Sequence, residues 1–525
     1  MGPSLQIFVV LVLGVRSEVL NFAPEMDGSF EFNDAVTSDI GTAMMTTNDG
    51  IVCYSDWANP PGERAVCNAF DASTGDVGPD CNLTAYLVKG QRFTVTRFSD
   101  ELAIVCFTAF GEYEIGGPSY CHKLTLNTAD MTLTAGPGLV VKPEATFMYY
   151  LTIASFTETF GVVCYQDTSD VFEPKERKAR CNVLGFESGS DSLTKSEAFE
   201  ADSVAVDVVG VSLTKFSSST GVLCFTEKTD ERAYCTLLTV SDTDISVPGP
   251  NDVAIFEGVP SILDRAQVSV VSLDETTGLV CYVVGDASAG NSASYEITCT
   301  PVGLVNGTVV TVGDDIVVDS DATFDMSVTA MSETAAIVCY LKGDERIGTC
   351  KGLVLSHGRE LSMGDARDIA GTSGFKAYSD ENIRVCDDNP CVEFVSLTRR
   401  NDVDAIVCYA GIDDNPNGRC TKLFVPAPTT TATATTTSAT SSTTPHTTTE
   451  SSTTTATQTS TLSTTTTATE TTSTGTKTTV TTTPHTTTET TPTSTTATEA
   501  EDSAGRGSSL APLTLLAALA AAAAR

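Results

Sequence analysis

The chain has 525 residues, 67 acidic against 30 basic side chains, and a formal net charge of -37. This excess of negative charge repels phosphate backbones and argues against a nucleic-acid partner. The 4 histidines leave little material for histidine-based metal or nucleophilic chemistry.

Residues 1–17 have the pattern of a secretory signal peptide. An apolar run from Leu5 to Val15 is followed by Arg16 and the small Ser17, after which cleavage is expected. A buried strand is the alternative for this run. The 17 cysteines favour an oxidising compartment, where disulfides persist. We therefore expect a protein that is exported to the extracellular face of the cell membrane.

Residues 18–427 contain seven copies of one unit. Each copy opens with an apolar run that ends in a cysteine and an aromatic residue, as in Ile51-Val52-Cys53-Tyr54. The steps between these cysteines are 53, 58, 60, 57, 58 and 69 residues, a spacing typical of tandem repeats. A second cysteine follows each first one, and the pairs are Cys53/Cys67, Cys106/Cys121, Cys164/Cys181, Cys224/Cys235, Cys281/Cys299, Cys339/Cys350 and Cys408/Cys420.

Each pair predicts a hairpin of two strands joined by a disulfide, because facing Cα atoms in antiparallel strands lie about 4.5–5.5 Å apart. One strand before and one after the hairpin give four strands in each repeat, the pattern of a propeller blade. We predict an all-β fold, a seven-bladed β-propeller of four-stranded blades. The stretch 22–32 would supply the outer strand that the seventh unit lacks. A row of separate disulfide-bonded β-modules is the alternative.

The first copy reads Cys53-Tyr54-Ser55-Asp56-Trp57-Ala58-Asn59-Pro60-Pro61-Gly62. This run resembles a β-propeller-type repeat of surface proteins from marine microbes, whose cysteine-containing versions occur in aquatic protists. The resemblance covers about residues 22–427 and implies a propeller fold and surface display. Independently of the resemblance, an exposed Trp57 beside Asp56 and Asn59 could stack on a sugar. These three residues are therefore candidate ligand contacts, although Trp57 could instead pack on the neighbouring blade.

Three cysteines remain outside the seven pairs. Cys386 and Cys391 lie in an insertion in the sixth unit, and we expect them to close a small loop. Cys81 is then the odd cysteine, either a thiol without a role or a link to another chain.

Two sequons and one acidic loop are candidate modification and ion sites. Asn82-Leu83-Thr84 and Asn306-Gly307-Thr308 predict N-glycosylation. Asp413, Asn415 and Asn417 have the alternating spacing of calcium ligands, but these residue types also form ordinary turns. We expect no cofactor, with calcium at this loop as the alternative.

The C-terminal part of the chain predicts a stalk and an anchor. Residues 428–502 are dominated by Thr, with Ser, Ala and Pro, which indicates a disordered, mucin-like stalk. Residues 503–525 combine small residues, a polar spacer and a short apolar tail. This pattern predicts a glycolipid (GPI) anchor attached at Ser503, with a short membrane-associated tail as the alternative.

Motifs of common enzyme families are absent from the sequence. We find no Gly-x-Ser-x-Gly, no His-Glu-x-x-His and no P-loop. The order of signal, repeats, stalk and anchor makes a cell-surface recognition or adhesion protein, whose propeller head binds a glycan or protein, the leading interpretation. The alternatives are an extracellular, glycosidase-like hydrolase with carboxylates at the propeller channel and a structural coat protein.

Overall fold

A computed structural model describes a large part of the repeat region. The described residues are 27–35, 37–56, 64–84, 88–111, 117–146, 150–168, 177–186, 189–201, 207–227, 232–248, 253–257, 267–285, 295–342, 347–356, 359–369, 395–410 and 417–424. All of them lie within one compact unit, Met1–Thr435. They form 32 strands, and none of them is helical.

The strands take four roles, which recur in each repeat unit. The inner strands are β2 (Thr37–Met44), β6 (Val88–Arg97), β11 (Leu151–Ser155), β16 (Val208–Ser217), β21 (Val268–Ser272), the second half of β25 (Ile316–Ser332) and β30 (Val395–Arg399). The cysteine strands are β3 (Asp49–Asp56), β7 (Leu102–Gly111), β12 (Phe160–Thr168), β17 (Thr220–Glu227), β22 (Thr277–Gly285), β26 (Ala335–Lys342) and β31 (Asp404–Ala410).

The third and outer strands complete each unit. The third strands are β4 (Arg64–Asp71), β8 (Gly117–Asn127), β13 (Arg177–Gly185), β18 (Arg232–Val240), β23 (Tyr295–Val305), β27 (Ile347–Leu355) and β32 (Gly418–Phe424). The outer strands are β1 (Asp27–Asn33), β5 (Cys81–Asn82), β9 (Thr132–Ala135), β10 (Leu139–Thr146), β14 (Thr194–Lys195), β15 (Phe199–Glu200), β19 (Ile245–Ser246), β20 (Val253–Glu257), β24 (Thr308–Thr311), the first half of β25, β28 (Leu361–Met363) and β29 (Arg367–Asp368).

Within each unit the strands pair antiparallel in the order inner, cysteine, third and outer. Five sheets contain one unit each, and units five and six share a nine-stranded sheet. They share it because β25 first pairs with β23 as an outer strand and then with β26 as an inner strand. All seven predicted hairpins are therefore present in the sheets.

The two ends of the repeat region meet in unit seven. Strand β1 pairs antiparallel with β32, so that Phe30 faces Cys420 and Glu31 faces Arg419. The Thr42 amide in unit one also donates a hydrogen bond to the Ser396 hydroxyl in unit seven at 3.0 Å. These contacts close a ring of sheets, which confirms the predicted all-β propeller architecture. The N-terminal segment supplies the outer strand of the last unit, as predicted.

Each cysteine hairpin carries its predicted disulfide. The paired cysteines face each other in register, with Cα atoms 4.0 Å apart in unit one and 4.1 Å apart in unit two. The seven bonds are Cys53–Cys67, Cys106–Cys121, Cys164–Cys181, Cys224–Cys235, Cys281–Cys299, Cys339–Cys350 and Cys408–Cys420. Cys386 and Cys391 lie outside the described residues. This disulfide content is typical of an extracellular or secreted protein.

Neighbouring inner strands are joined by side-chain hydroxyls. The residue opposite the first cysteine is a Ser or Thr in six units, and in four of them its hydroxyl accepts a hydrogen bond from a backbone amide of the next unit. The distances are 3.0 to 3.3 Å. Without these hydroxyls, the inner amides would have no partner within their own sheet. The small polar residues of the inner strands are thus part of the ring's packing.

Aromatic residues of one unit pack on glycines of the next unit. The pairs are Phe98 with Gly161, Phe156 with Gly221 and Phe216 with Gly278. In each pair the Cζ atom of the Phe ring would lie only 2.7 Å from a Cβ atom added to the glycine. In three other units the residue at the Phe position is Met or Leu, and the next unit then has alanine at the glycine position. These smaller pairs are Met45 with Ala103, Leu273 with Ala336 and Met331 with Ala405. Side-chain volume is therefore balanced across these six junctions.

In the part of the chain that the structure describes, no helix has the length and apolarity needed to cross a membrane. The predicted signal peptide, stalk and Ser503 anchor all lie outside the described residues.

Candidate functional site

One position of the repeat brings different polar side chains to one end of the inner strands. It lies two residues before the residue that faces the first cysteine of each hairpin. We call this set the mouth ring. In units one to five it consists of Asp39, Arg92, Tyr150, Gly210 and Gln267. In unit six the sequence has Asp325 at the same position.

The first three members of the mouth ring contact one another in order. The Arg92 amide donates a hydrogen bond to Oδ1 of Asp39 at 3.1 Å. The Arg92 guanidinium lies over the ring of Tyr150, with its central carbon 5.3 Å from the ring centroid. This is the geometry of a cation–π contact. Three successive units therefore place an acidic, a positively charged and an aromatic residue side by side.

A similar contact continues the mouth ring on the far side. The Met326 amide of unit six donates to Oε1 of Gln267 in unit five at 2.8 Å. The hydroxyl of Ser38 donates to Oδ2 of Asp39 at 3.1 Å. Both Asp39 oxygens thus accept a hydrogen bond, and the residue is only 6% exposed.

Asp39 and Arg92 have strained backbones. Their φ angles are 55° and 57°, in the left-handed region that side chains other than Gly rarely adopt. Each lies at a register shift of its inner strand against the cysteine strand. Such strain costs on the order of 1–3 kcal/mol per residue and concentrates at functional sites. The register shifts take these two residues out of the regular ladder.

Behind the mouth ring, the ends of the cysteine strands carry buried ion pairs. The residue three positions after the first cysteine is Asp56 in unit one and Asp167 in unit three. Asp56 pairs with Arg64, and Asp167 pairs with Arg180 at 2.8 Å and with Lys142. Both carboxylates are less than 10% exposed. Each is held by an Arg of the third strand of its own unit, and Asp167 is also held by Lys142 on the outer strand of unit two. The Tyr-x-Asp pattern thus marks a repeated ion pair.

Units five and six are joined by a similar ion pair with the charges reversed. Lys342 occupies the acidic position and pairs with Asp319 of β25 at 3.3 Å, while Lys351 approaches the same carboxylate at 3.6 Å. The Tyr340 hydroxyl donates to Asp319 at 2.7 Å. Burial and this hydrogen bond raise the pKa of Tyr340 far above its usual range. Burial opposes ionisation of Asp319, but the Tyr340 bond, the Asp321 amide and both lysines together lower its pKa.

The structure describes one of the three residues that were predicted as ligand contacts. Asp56 is buried in its ion pair, and Trp57 and Asn59 lie outside the described residues. Ligand contact by this loop stays a prediction. Sequence reasoning missed the mouth ring. Aligning the inner strands on the Ser or Thr that faces the first cysteine would have placed Arg92 and Tyr150 at one position. Unit one has Gly41 at that place, which hides Asp39.

The modification and ion sites also remain predictions. Asn82 and Asn306 are both exposed, and Asn306 lies in a tight hairpin turn with a φ of 52°. Asp413 and Asn415 lie outside the described residues. Asn417 is buried and its amide nitrogen donates to Glu31. Among the described residues, no group of three or more metal-ligating side chains comes together.

Comparisons with known proteins leave the family open. No family model matches the chain, and no curated protein matches it. The kinship with repeat proteins of aquatic protists is therefore not shown.

The comparison with solved structures gives distant similarities. An alpha-L-arabinanase of Penicillium chrysogenum, complexed with arabinobiose, is 8% identical over 77% of this chain and 99% of its own, with a TM-score of 0.39. An alpha-L-arabinofuranosidase of Fusarium graminearum is 8% identical over 75% and 97%, with a TM-score of 0.40. The WD40 domain of SCAP from fission yeast is 7% identical over 78% and 99%, also with a TM-score of 0.40.

The leading sequence interpretation, a recognition or adhesion head, was wrong. Two of these three structures are glycoside hydrolases, which agree better with the hydrolase alternative. At 7–10% identity the likeness itself concerns the fold alone. The choice of chemistry has to come from this chain's own residues.

Proposed function

We propose that the protein is an exported hydrolase that cleaves glycosidic bonds at the mouth ring. The observation that carries the proposal is the buried, strained Asp39 carboxylate beside Arg92 and Tyr150. Glycoside hydrolysis needs carboxylates that act on one bond, and a carboxylate held in a costly conformation is a candidate for that work.

Of the two carboxylates that glycoside cleavage needs, Asp39 would be the ionised one. Its two oxygens accept hydrogen bonds from the Arg92 amide and the Ser38 hydroxyl. These donors would stabilise a carboxylate that acts as a base or as a nucleophile towards the anomeric carbon. We assign the role of general acid to Asp325, from its repeat position alone. The two residues belong to units one and six, with unit seven between them in the ring.

Arg92 and Tyr150 would bind the sugar beside the reacting bond. Guanidinium N–H groups donate to hydroxyl oxygens, and an aromatic ring packs on the apolar face of a sugar. Both side chains are held against each other, which limits the entropy lost when a substrate binds. The mouth ring therefore offers both reacting and binding groups.

The remaining segments would place this enzyme outside the cell. We propose that residues 1–17 direct export, that 428–502 form an O-glycosylated stalk, and that a glycolipid at Ser503 holds the protein at the membrane. The sequence patterns described above support each of these assignments.

The test uses the full secreted chain with arabinan, xylan and a panel of nitrophenyl glycosides. We expect release of reducing sugar or nitrophenol from at least one of them. Asp39→Asn should lower that rate by at least about 100-fold, the size of a lost acid–base group. The matched control is Asp100→Asn, an exposed carboxylate at the opposite end of β6, which should leave the rate unchanged. Absence of hydrolysis across the panel, or full activity in Asp39→Asn, contradicts the proposal.

A further inference from the structure

Unit one contains a third cysteine beside its disulfide. Cys67 on β4 faces Cys53 on β3 and, on its other side, Cys81 on β5. Cys53 and Cys67 form the disulfide, and Cys81 is a buried free thiol. Residues that face each other across antiparallel strands project to the same side of the sheet. All three cysteines accordingly belong to one packed cluster with Phe93 and Phe107.

The register fixes the distance that the free thiol has to cover. The Leu83 amide bonds to the Ala65 carbonyl, so Ala65 and Leu83 are a hydrogen-bonded pair. Such pairs alternate along a ladder, and therefore Cys67 and Cys81 are one as well. Their Cα atoms should lie about 5.5 Å apart, within the range that disulfides span. A direct Cys53–Cys81 bond would have to cross two strand spacings of about 4.8 Å and is excluded.

From this arrangement we propose that unit one is a thiol–disulfide exchange site, in which Cys81 replaces Cys53 as the partner of Cys67. Cys81 gives its proton to solvent, and its thiolate attacks Sγ of Cys67. The Cys67–Cys81 bond forms, the Cys53–Cys67 bond breaks, and Cys53 leaves as a thiolate that takes up a proton. Two sulfurs stay oxidised and one stays reduced, so no external oxidant or reductant is needed.

The two disulfide isomers link β4 to different strands: Cys53–Cys67 links it to β3, and Cys67–Cys81 links it to β5. Side chains in hydrogen-bonded pairs are farther apart than in the other pairs, so β5 has to move towards β4 for the new bond. Strand β5 has only two residues and can shift at low cost. Cys53–Cys67 is therefore the resting bond and Cys67–Cys81 the minor one. Burial raises the pKa of the Cys81 thiol, partly offset by a hydrogen bond from the Ala135 backbone, and this slows exchange near neutral pH.

No other unit has this arrangement among the described residues. Cys81 is the one free cysteine there, and the remaining six hairpins contain only their two bonded cysteines. Unit two therefore serves as an internal control.

The experiment maps disulfides in the full secreted chain after acid quenching and alkylation. In Cys53→Ser we expect a Cys67–Cys81 bond, because the resting competitor has been removed. In the matched control Cys106→Ser, Cys121 should remain a thiol. A Cys53→Ser protein that keeps both Cys67 and Cys81 as thiols would overturn the proposal.

Wild-type protein gives a second reading that does not depend on the folding of a variant. After incubation at about pH 8.5, where more thiolate forms, we expect a minor fraction with alkylated Cys53 and a Cys67–Cys81 bond. That fraction should grow with pH and be absent from Cys81→Ser. Alkylation confined to Cys81 at every pH would contradict exchange.

Discussion

His122 is a buried histidine whose surroundings favour the neutral ring. It stacks on Phe107 with ring centroids 5.8 Å apart, and its Nδ1 lies 3.0 Å from the Gly136 carbonyl oxygen. A neutral ring with the proton on Nδ1 donates to that oxygen. Burial lowers the pKa of His122, and the Gly136 hydrogen bond offsets this only in part. The neutral side chain thus contributes to packing between the sheets.

This environment predicts a loss of stability as the pH falls. Above about pH 6.5 the histidine is neutral in both the folded and unfolded states. Below that value the unfolded chain takes up the proton first, so folding stability decreases until the folded pKa has been passed. Urea unfolding between pH 7.5 and 5.5 should show this decrease, and His122→Phe should show a shallower one. Equal slopes for the two proteins would show that His122 is not the titrating group.

Residue-scale chemistry is where sequence reasoning fell short. Asp56 could be selected from its motif, but its ion pair with Arg64 depends on how far the hairpin loop carries the chain. Asp39 and Arg92 gave no signal of their own because a positive φ leaves no mark on residues other than Gly and Asn. The reversed pair of Lys342 and Asp319 was hidden because its carboxylate comes from another strand.

At the scale of strands, the junctions between units depend on matched side-chain volumes. Phe156 directly follows β11, and its tip lies 2.7 Å from where a Cβ on Gly221 of β17 would be. Both residues are buried. Overpacking of such a site costs about 1–3 kcal/mol. At the corresponding positions of units five and six the protein has Leu273 and Ala336, so a smaller side chain is matched there by an alanine.

A double-mutant cycle tests this matching. Gly221→Ala should lower the free energy of unfolding by about 1–3 kcal/mol. Adding Phe156→Leu should recover part of that loss, although Phe156→Leu alone is destabilising because it leaves a cavity. Gly185→Ala, where the nearest atom is the Thr194 hydroxyl at 3.2 Å, is the control and should cost less. Additive effects of the two substitutions, measured by chemical unfolding, would contradict direct packing between them.

Elements with a repeated chemical signature could be predicted from the sequence. Each cysteine hairpin combines an apolar run, a polar loop and a second cysteine, and all seven appear in register. The shared strand β25 could not be foreseen, because it runs for 17 residues through two roles without a turn signal. The local sequence pattern identifies a strand, but the strands with which it pairs depend on the arrangement of the neighbouring units.

For the whole molecule, closure explains how short sheets can stack without exposed ends. Each unit covers one face of the next, and unit one covers unit seven through Thr42, Ser396 and the contact of Arg400 with Asn48. The terminal strand β1 joins the last sheet to the start of the chain. Such a link makes the ring's stability depend on both ends at once.

The most direct test of this closed ring joins its two ends covalently. Glu31 and Arg419 face each other across β1 and β32 although 388 residues separate them, by subtraction of their numbers. Cys420 faces Cys408 at a Cα distance of 4.0 Å, as in a pair without hydrogen bonds. The backbone N–H and C=O of Cys420 therefore point to the other side of β32, towards β1, and Phe30–Cys420 is a hydrogen-bonded pair. Pair types alternate along a ladder, so the next pair, Glu31–Arg419, is not hydrogen-bonded. This is the closer geometry and the one better suited to a disulfide.

The measurement is a non-reducing peptide map of the double variant Glu31→Cys, Arg419→Cys. The closed ring predicts a disulfide between these two positions within a single chain, alongside the seven native bonds. Two free thiols at these positions in a protein that retains its native disulfides would show that the ends do not meet, and would contradict the ring.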